Sequence, residues 1–122
     1  MTKDKLIYWI PTVLIGVMFL FSASMALQSS EEYLVGIRKM GYPDYFPRIH
    51  GTLKLLAAIV ILIPRKSIFK HWAYAGIFMT LLFAAAAHLS VDEPIIPHIV
   101  GAVLATISYY YYNAKMEFKS LP

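Results

Sequence analysis

The chain of 122 residues has no cysteine and little charge, with Asp, Glu, Lys and Arg making up 15% of it. The first absence excludes disulfides, dithiol chemistry and iron–sulfur ligation. The second stands beside a hydrophobic share of 59%, whereas soluble domains carry about 25% charged and about 45–50% apolar residues. This is the composition of a membrane protein. Also missing are a phosphate-binding glycine loop and a dinucleotide fingerprint. Gly16, Gly36, Gly51, Gly76 and Gly101 stand isolated, a pattern that suits close approach of helices. No internal repeat, low-complexity tract or linker is visible, and none of the apolar runs alternates as a barrel strand does.

What is present is a set of long apolar runs. No charged side chain occurs from Leu6 to Ser30, a length that crosses a hydrocarbon core needing about 20 helical residues. The "SMA" at Ser24 to Ala26 resembles a signal-peptidase site. The run exceeds the usual apolar region of about 7–15 residues, so a retained first span is expected. Because lipid offers no partners for backbone N–H and C=O groups, the runs predict helices, over about 6–28, 45–63, 71–89 and 95–112. Asp44 is placed to cap the second, which Pro64 ends. The expectation is an all-α integral membrane four-helix bundle, one domain over residues 1–122.

Between the first two spans, "SSEEYLVGIRKMGYPDY" holds a capping-box pattern at Ser29 and Glu32. Tyr33, Leu34, Ile37 and Met40 then recur at helical spacing opposite Glu31, Glu32, Arg38 and Lys39. This predicts a short interfacial helix closed by Gly41; a lid over the bundle and a plain connector are both open.

Basic residues cluster at Lys3, Lys5, Arg65, Lys66, Lys70, Lys115 and Lys119, whereas the opposite side mixes Arg38, Lys39 and Arg48 with five acidic residues. The positive-inside rule puts both termini on the cytoplasmic side of a cell (inner) membrane. The net charge of +4 then reports topology and contact with the bilayer, and supports no nucleic-acid binding. "YYYYN" at Tyr109 to Asn113 falls at the cytoplasmic interface as an aromatic belt.

The polar residues of the spans gather at the other end. Lys54 lies about 13 Å into the second helix at about 1.5 Å per residue, with His50 one turn before it. His88 closes the third span with Asp92 four residues on, His98 is one turn into the fourth, and Ser22, Ser24 and Gln28 end the first. The cytoplasmic halves show almost none. A lysine at depth costs about 2.5–3.5 kcal/mol on insertion scales, so it snorkels, pairs or is kept for use. The pattern predicts a polar pocket in the outer leaflet formed by Lys54, His88, His50, His98, Gln28 and Asp92. In it Lys54 donates to an anionic or carbonyl-bearing ligand, the histidines exchange protons, and Asp92 orients His88. His71, beside Lys70, is expected to be solvated. No metal-ligand motif is recognisable.

"GYP" at Gly41 to Pro43, "GTLKLLAAIVILIP" from Gly51, "WAYAGIF" from Trp72 and "AAHL" ending at Leu89 make the chain resemble the DoxX-like family of small four-helix bacterial membrane proteins, from about Tyr8 to Tyr111. The resemblance implies a compact bundle and marks Gly51, Lys54, Tyr74, Gly76 and His88 as pattern positions, with Gly51, Gly76 and Tyr74 assigned to helix packing. It departs after Phe21 and Ser22, where many relatives have glycine and then lysine and this chain has Ala23 and Ala26. Named members of the wider family are associated with quinone-linked thiosulfate oxidation, others with receptor assembly or cargo. Two functions are therefore expected side by side. One is a redox-associated subunit holding a quinone-like or other lipophilic ligand at Lys54 and His88. The other is a non-catalytic assembly factor whose polar face docks a membrane partner or a second copy. Whether there is turnover is open in both.

Overall fold

The computed structural model describes residues 2–121 of the chain. Among these the architecture is all-α, with five helices: α1 (Lys3–Gln28), α2 (Glu31–Lys39), α3 (Phe46–Leu62), α4 (Ile68–Ser90) and α5 (Ile96–Ala114). Local chemistry sets most of the ends. The Thr2 hydroxyl accepts from the Lys5 amide, so α1 starts before its apolar run does. Ser67 does the same for the Phe69 amide and carries α4 back to Ile68. Pro47 and Pro97 sit in the first turns of α3 and α5, where a missing N–H is no loss.

Two capping expectations are corrected. Ser30, not Ser29, caps α2 by accepting from the Tyr33 amide. Ser29 instead ends α1 in the left-handed conformation, at φ 46°. Asp44 does not cap α3, whose first residue follows an uncapped Tyr45. The carboxylate is taken by Arg38, as described below.

The four long helices form a ring in which α1 packs on α3 and α5, and α4 on α3 and α5. Each neighbour runs antiparallel: Gly51 of α3 faces Ala23 and Ala26 of α1 while Gly16 faces Leu62, and Ser108 of α5 meets Thr12 where Gly101 meets Ile15. A Cβ on Gly51 would lie 3.0 Å from the Ala26 methyl and 3.3 Å from the Ala23 carbonyl oxygen. The α1–α3 contact is thus backbone against backbone, as small residues permit. Gly76 behaves differently from the packing role expected of it, since a Cβ there meets nothing within 4 Å.

Ile15, Phe19, Ala58, Ile61, Ile77, Leu81 and Ala105 fill the centre. Outward, Ile10, Val17, Phe21, Leu53, Leu82, Phe83, Ile99 and Val103 are exposed on all four long helices, far more apolar surface than a soluble monomer leaves in water. By length and composition, α1 and α4 are long and apolar enough to cross a membrane. The other two long helices do not reach that mark. α3 has 17 residues and carries Arg48, His50 and Lys54, and α5 carries His98, Ser108 and four tyrosines.

After α5 the chain turns back beneath the bundle. Lys66 and Ser120 form an isolated bridge, with the Lys66 amide donating to the Lys119 carbonyl and the Leu121 amide to that of Lys66, both at 2.9 Å. Met116 is buried, and Phe118 packs edge-on against Tyr8 and Trp9.

Candidate functional site

A cavity of about 950 Å³ lies between α3 and α4, closed on one side by Phe19 of α1 and covered at one end by α2. Its existence follows from where α2 goes. The helix lays Tyr33, Ile37 and Met40 over the cavity, with Tyr42 just beyond, while its polar face holds an ionic clasp. Arg38 donates to Glu31 at 2.8 Å and, through two nitrogens, to both oxygens of Asp44 at 2.8 and 2.7 Å. The guanidinium bonds hold the Asp44 carboxyl below the usual carboxylate range and raise the guanidinium's own pKa. Burial against the cavity pushes the Tyr33 phenol up. Gly41, at φ +91°, makes the turn that returns the chain toward α3.

Three of the expected site residues line this cavity: Lys54, His50 and His88. The Lys54 ammonium reaches sideways to α1 and donates to the Ser22 hydroxyl at 2.7 Å. His50 is one turn earlier on α3, with Nε2 3.4 Å from the Thr80 hydroxyl of α4. Its ring continues a ladder in which Tyr42 stacks on Phe46 at 4.3 Å and Phe46 on His50 at 4.9 Å. His88 Nδ1 donates to Glu93 at 3.0 Å. The orienting carboxylate is therefore Glu93, correcting the expected Asp92. The turn after α4 puts Asp92 at φ 58° and folds the chain so that the Glu93 amide donates to the His88 carbonyl at 2.8 Å, bringing Glu93 back over the helix end.

The other three do not line the cavity. His98 lies beside His88, ring centroids 4.7 Å apart with the planes tilted by 43°, and its buried Nδ1 has no hydrogen-bond partner among the described residues. Gln28 donates to Ser24 one turn back on its own helix, at 3.0 Å. Asp92 is exposed. Gly76, by contrast, joins the wall. The pairings His50–Thr80 and Ile61–Lys70 fix the α3–α4 register and put Gly76 level with Lys54, where the missing side chain leaves room. Elsewhere the wall offers phenols, imidazoles and a hydroxyl, and no Asp or Glu lies among the described lining residues. Among the described residues, no group of three or more His, Cys, Asp or Glu is placed to hold a metal ion.

The opposite end of the bundle is not the polar-poor region the sequence suggested. Tyr74 is 1% exposed, and Thr12 and Ser108 are fully buried and joined through their hydroxyls. Thr12 spends its single proton on the Tyr8 carbonyl, so Ser108 donates to Thr12 and Tyr74 donates to Ser108. Lys70, counted above as a cytoplasmic charge, is only 1% exposed. Its ammonium donates to the Ile61 carbonyl at 3.0 Å and the Tyr8 hydroxyl at 3.3 Å. Around it lie the rings of Tyr112, Phe118 and Tyr8, with centroids at 5.2, 5.5 and 6.0 Å. Ile61 is next to the end of α3, so Lys70 satisfies a carbonyl that has no partner within its helix. Tyr112 is thereby turned inward from the expected aromatic belt, and His71 bonds the Tyr109 hydroxyl at 3.0 Å. Isolated hydroxyls in long apolar runs were the available signal, since such residues join helices within membranes.

The family model described as the DoxX-like family matches residues 10–110. That stretch contains the whole cavity wall and all of the expected site residues. Comparison with curated proteins and with solved structures finds no match.

Proposed function

Because this chain belongs to the DoxX-like family, we propose that it is a multi-pass inner-membrane protein whose cavity behind α2 holds a lipophilic, acceptor-bearing molecule with its polar end at Lys54. In this reading α1, α3, α4 and α5 all cross the bilayer. The apolar residues exposed on each of them support it, and α3, about 26 Å long at about 1.5 Å per residue, approaches the ~30 Å of a hydrocarbon core. Lys3, Lys5, Arg65, Lys66, Lys115 and Lys119 share one end of the bundle and favour cytoplasmic termini, even with Lys70 removed from that count. A cysteine-free chain allows a direct check. Single cysteines at Lys66 and Ser90 should react with a membrane-impermeant maleimide from opposite faces of sealed vesicles; reaction from one face would refute four spans.

The observation that carries the functional reading is an ammonium group on the wall of a largely apolar cavity, with His50 one turn away on the same helix and His88 farther along the same wall. A quinone-like carbonyl compound is one molecule such a site holds. With it, the two imidazoles would exchange protons in a redox-associated subunit. Purified in native lipid, the protein should carry a stoichiometric small molecule detectable by absorption or mass analysis, and Lys54→Met should lose it while unfolding at nearly the same temperature. A second reading rests on the half-exposed wall of the same groove, where Trp72 is 62% exposed. In a non-catalytic assembly factor, a helix of a partner protein or of a second copy would fill it. Recovery of a stoichiometric partner without any bound small molecule would favour that role.

A further inference from the structure

The wall of the cavity also constrains the charge and shape of what fills it, provided the ligand-binding reading above holds. Lys54 has three protons to donate and one protein partner, the Ser22 hydroxyl. An ammonium in apolar surroundings is expensive unless an opposite charge accompanies it. No carboxylate stands among the described lining residues, and Glu93, the acid beside His88, is engaged by that imidazole. The cavity therefore lacks a counter-charge of its own.

Its shape is that of a slot. On α4 the lining runs from Phe69 to His88, about 28 Å at about 1.5 Å per residue. On α3 it runs from Phe46 to Val60, about 21 Å on the same rise. Lys54, level with Gly76, stands near the middle of the slot, with His50 and Thr80 one turn toward α2 and His88 at the α2 end. The half away from α2 is Leu56, Ala57, Val60, Phe69, Trp72 and Ala73, with no charged side chain. Along its length the slot opens sideways between α3 and α4, where Leu53 and Phe83 are each 58% exposed. That opening faces the same direction as the apolar outer surface, so a molecule already dissolved in the bilayer reaches it without crossing water.

From this we infer that the ligand is a single-chain anionic amphiphile, a long-chain carboxylate whose head pairs with Lys54 and whose tail lies in the slot between α3 and α4. The volume of about 950 Å³ is at the top of the ~300–1,000 Å³ range of small-ligand sites, enough for one such chain. The carboxylate supplies the counter-charge that Lys54 lacks.

The test is binding to the full chain in nanodiscs of neutral lipid, with radiolabelled oleate, oleyl alcohol, decylubiquinone and phosphatidylglycerol as probes. Oleate should bind one per chain and at least about tenfold more tightly than oleyl alcohol, which has the same chain without the charge. Lys54→Met should abolish that preference and Lys54→Arg keep it. Gly76→Leu covers any failure of the Lys54 variants to fold: its Cβ meets no atom within 4 Å, it leaves the ammonium in place, and it should block oleate by filling the slot. Equal binding of oleate, oleyl alcohol and decylubiquinone would overturn the charge assignment and leave the lipophilic site standing. Preference for phosphatidylglycerol with the same Lys54 dependence would overturn the single-chain assignment. Binding of none of the four would overturn this inference and the ligand-binding reading together.

Discussion

The Ser108 hydroxyl bridges Thr12 and Tyr74, donating to Thr12, whose own proton goes to the Tyr8 carbonyl, and accepting from Tyr74. Ser108→Ala would leave the Tyr74 hydroxyl without an acceptor at a site that water does not reach. We expect a loss of about 1–2 kcal/mol, at the upper end of interhelical hydrogen bonds measured within membranes, read as a lower unfolding temperature in detergent. Lys54 and Lys70 make the contrast at this scale. Both are lysines in apolar helices, yet one lines an open cavity with a single hydroxyl partner and the other is enclosed by three rings and a helix-end carbonyl. Their sequence surroundings point the opposite way. Lys54 is embedded in an apolar run and draws attention, whereas Lys70 follows Arg65 and Lys66 and reads as one more surface charge. Tyr8, Tyr112 and, from the returning C-terminal segment, Phe118 together enclose Lys70.

Among the elements, the α1–α3 contact and the α3–α4 slot place opposite demands on glycine. Gly51→Ala forces its methyl to within 3.0 Å of Ala26 and 3.3 Å of a backbone carbonyl, and the helices must separate at a cost of about 1–3 kcal/mol. Gly76→Ala meets nothing and should hold or raise the unfolding temperature, since alanine is favoured over glycine in a helix by up to about 1 kcal/mol. Measured side by side, the two variants should move in opposite directions. The same contact accounts for Ala23 and Ala26, both fully or almost fully buried. A longer side chain at 26 would not fit against Gly51 at the distance these two helices pack. The short α2 depends on its ionic clasp. The Asp44 carboxyl is held below its ordinary pKa of about 3.9 by Arg38, so its contribution is present above that value and is lost as pH falls through the lower, folded one. Amide exchange in α2 should therefore stay slow from neutral pH down to about 4 and accelerate, beyond its intrinsic rate, only in stronger acid. Asp44→Asn should show the faster exchange at neutral pH as well.

For the molecule as a whole, polar chemistry is divided between two ends: a cavity with an unneutralised cation under α2, and a closed network of hydroxyls, Tyr8, Tyr74 and Lys70 sealed by residues 116–121. Removal of residues 116–122 should expose the Lys70 amine. An amine-reactive label should modify Lys3, Lys5 and Lys115 in the full chain and reach Lys70 only in the truncated one, as read by peptide mapping. Labelling of Lys70 in the intact chain would contradict the seal. Truncation should leave the Lys54 cavity unchanged, because no residue beyond α4 lines it.

The sequence by itself determined the helices and most of their ends, the membrane character, the amphipathic α2 and the candidacy of Lys54, His50 and His88. These depend on periodicity, on apolar run length and on caps a few residues away, all of which are local. Tertiary structure decided the rest. Which carboxylate reaches His88 depends on a left-handed residue in a turn, and whether Lys70 meets water depends on a segment more than 40 residues later. Gln28, His98 and Asp92 lie toward the same end of the bundle as the cavity's polar wall but do not line the cavity. Depth follows from counting residues at a fixed rise, whereas facing follows from which helix packs against which, and that is set by contacts such as Gly51 on Ala26 between residues far apart in the chain.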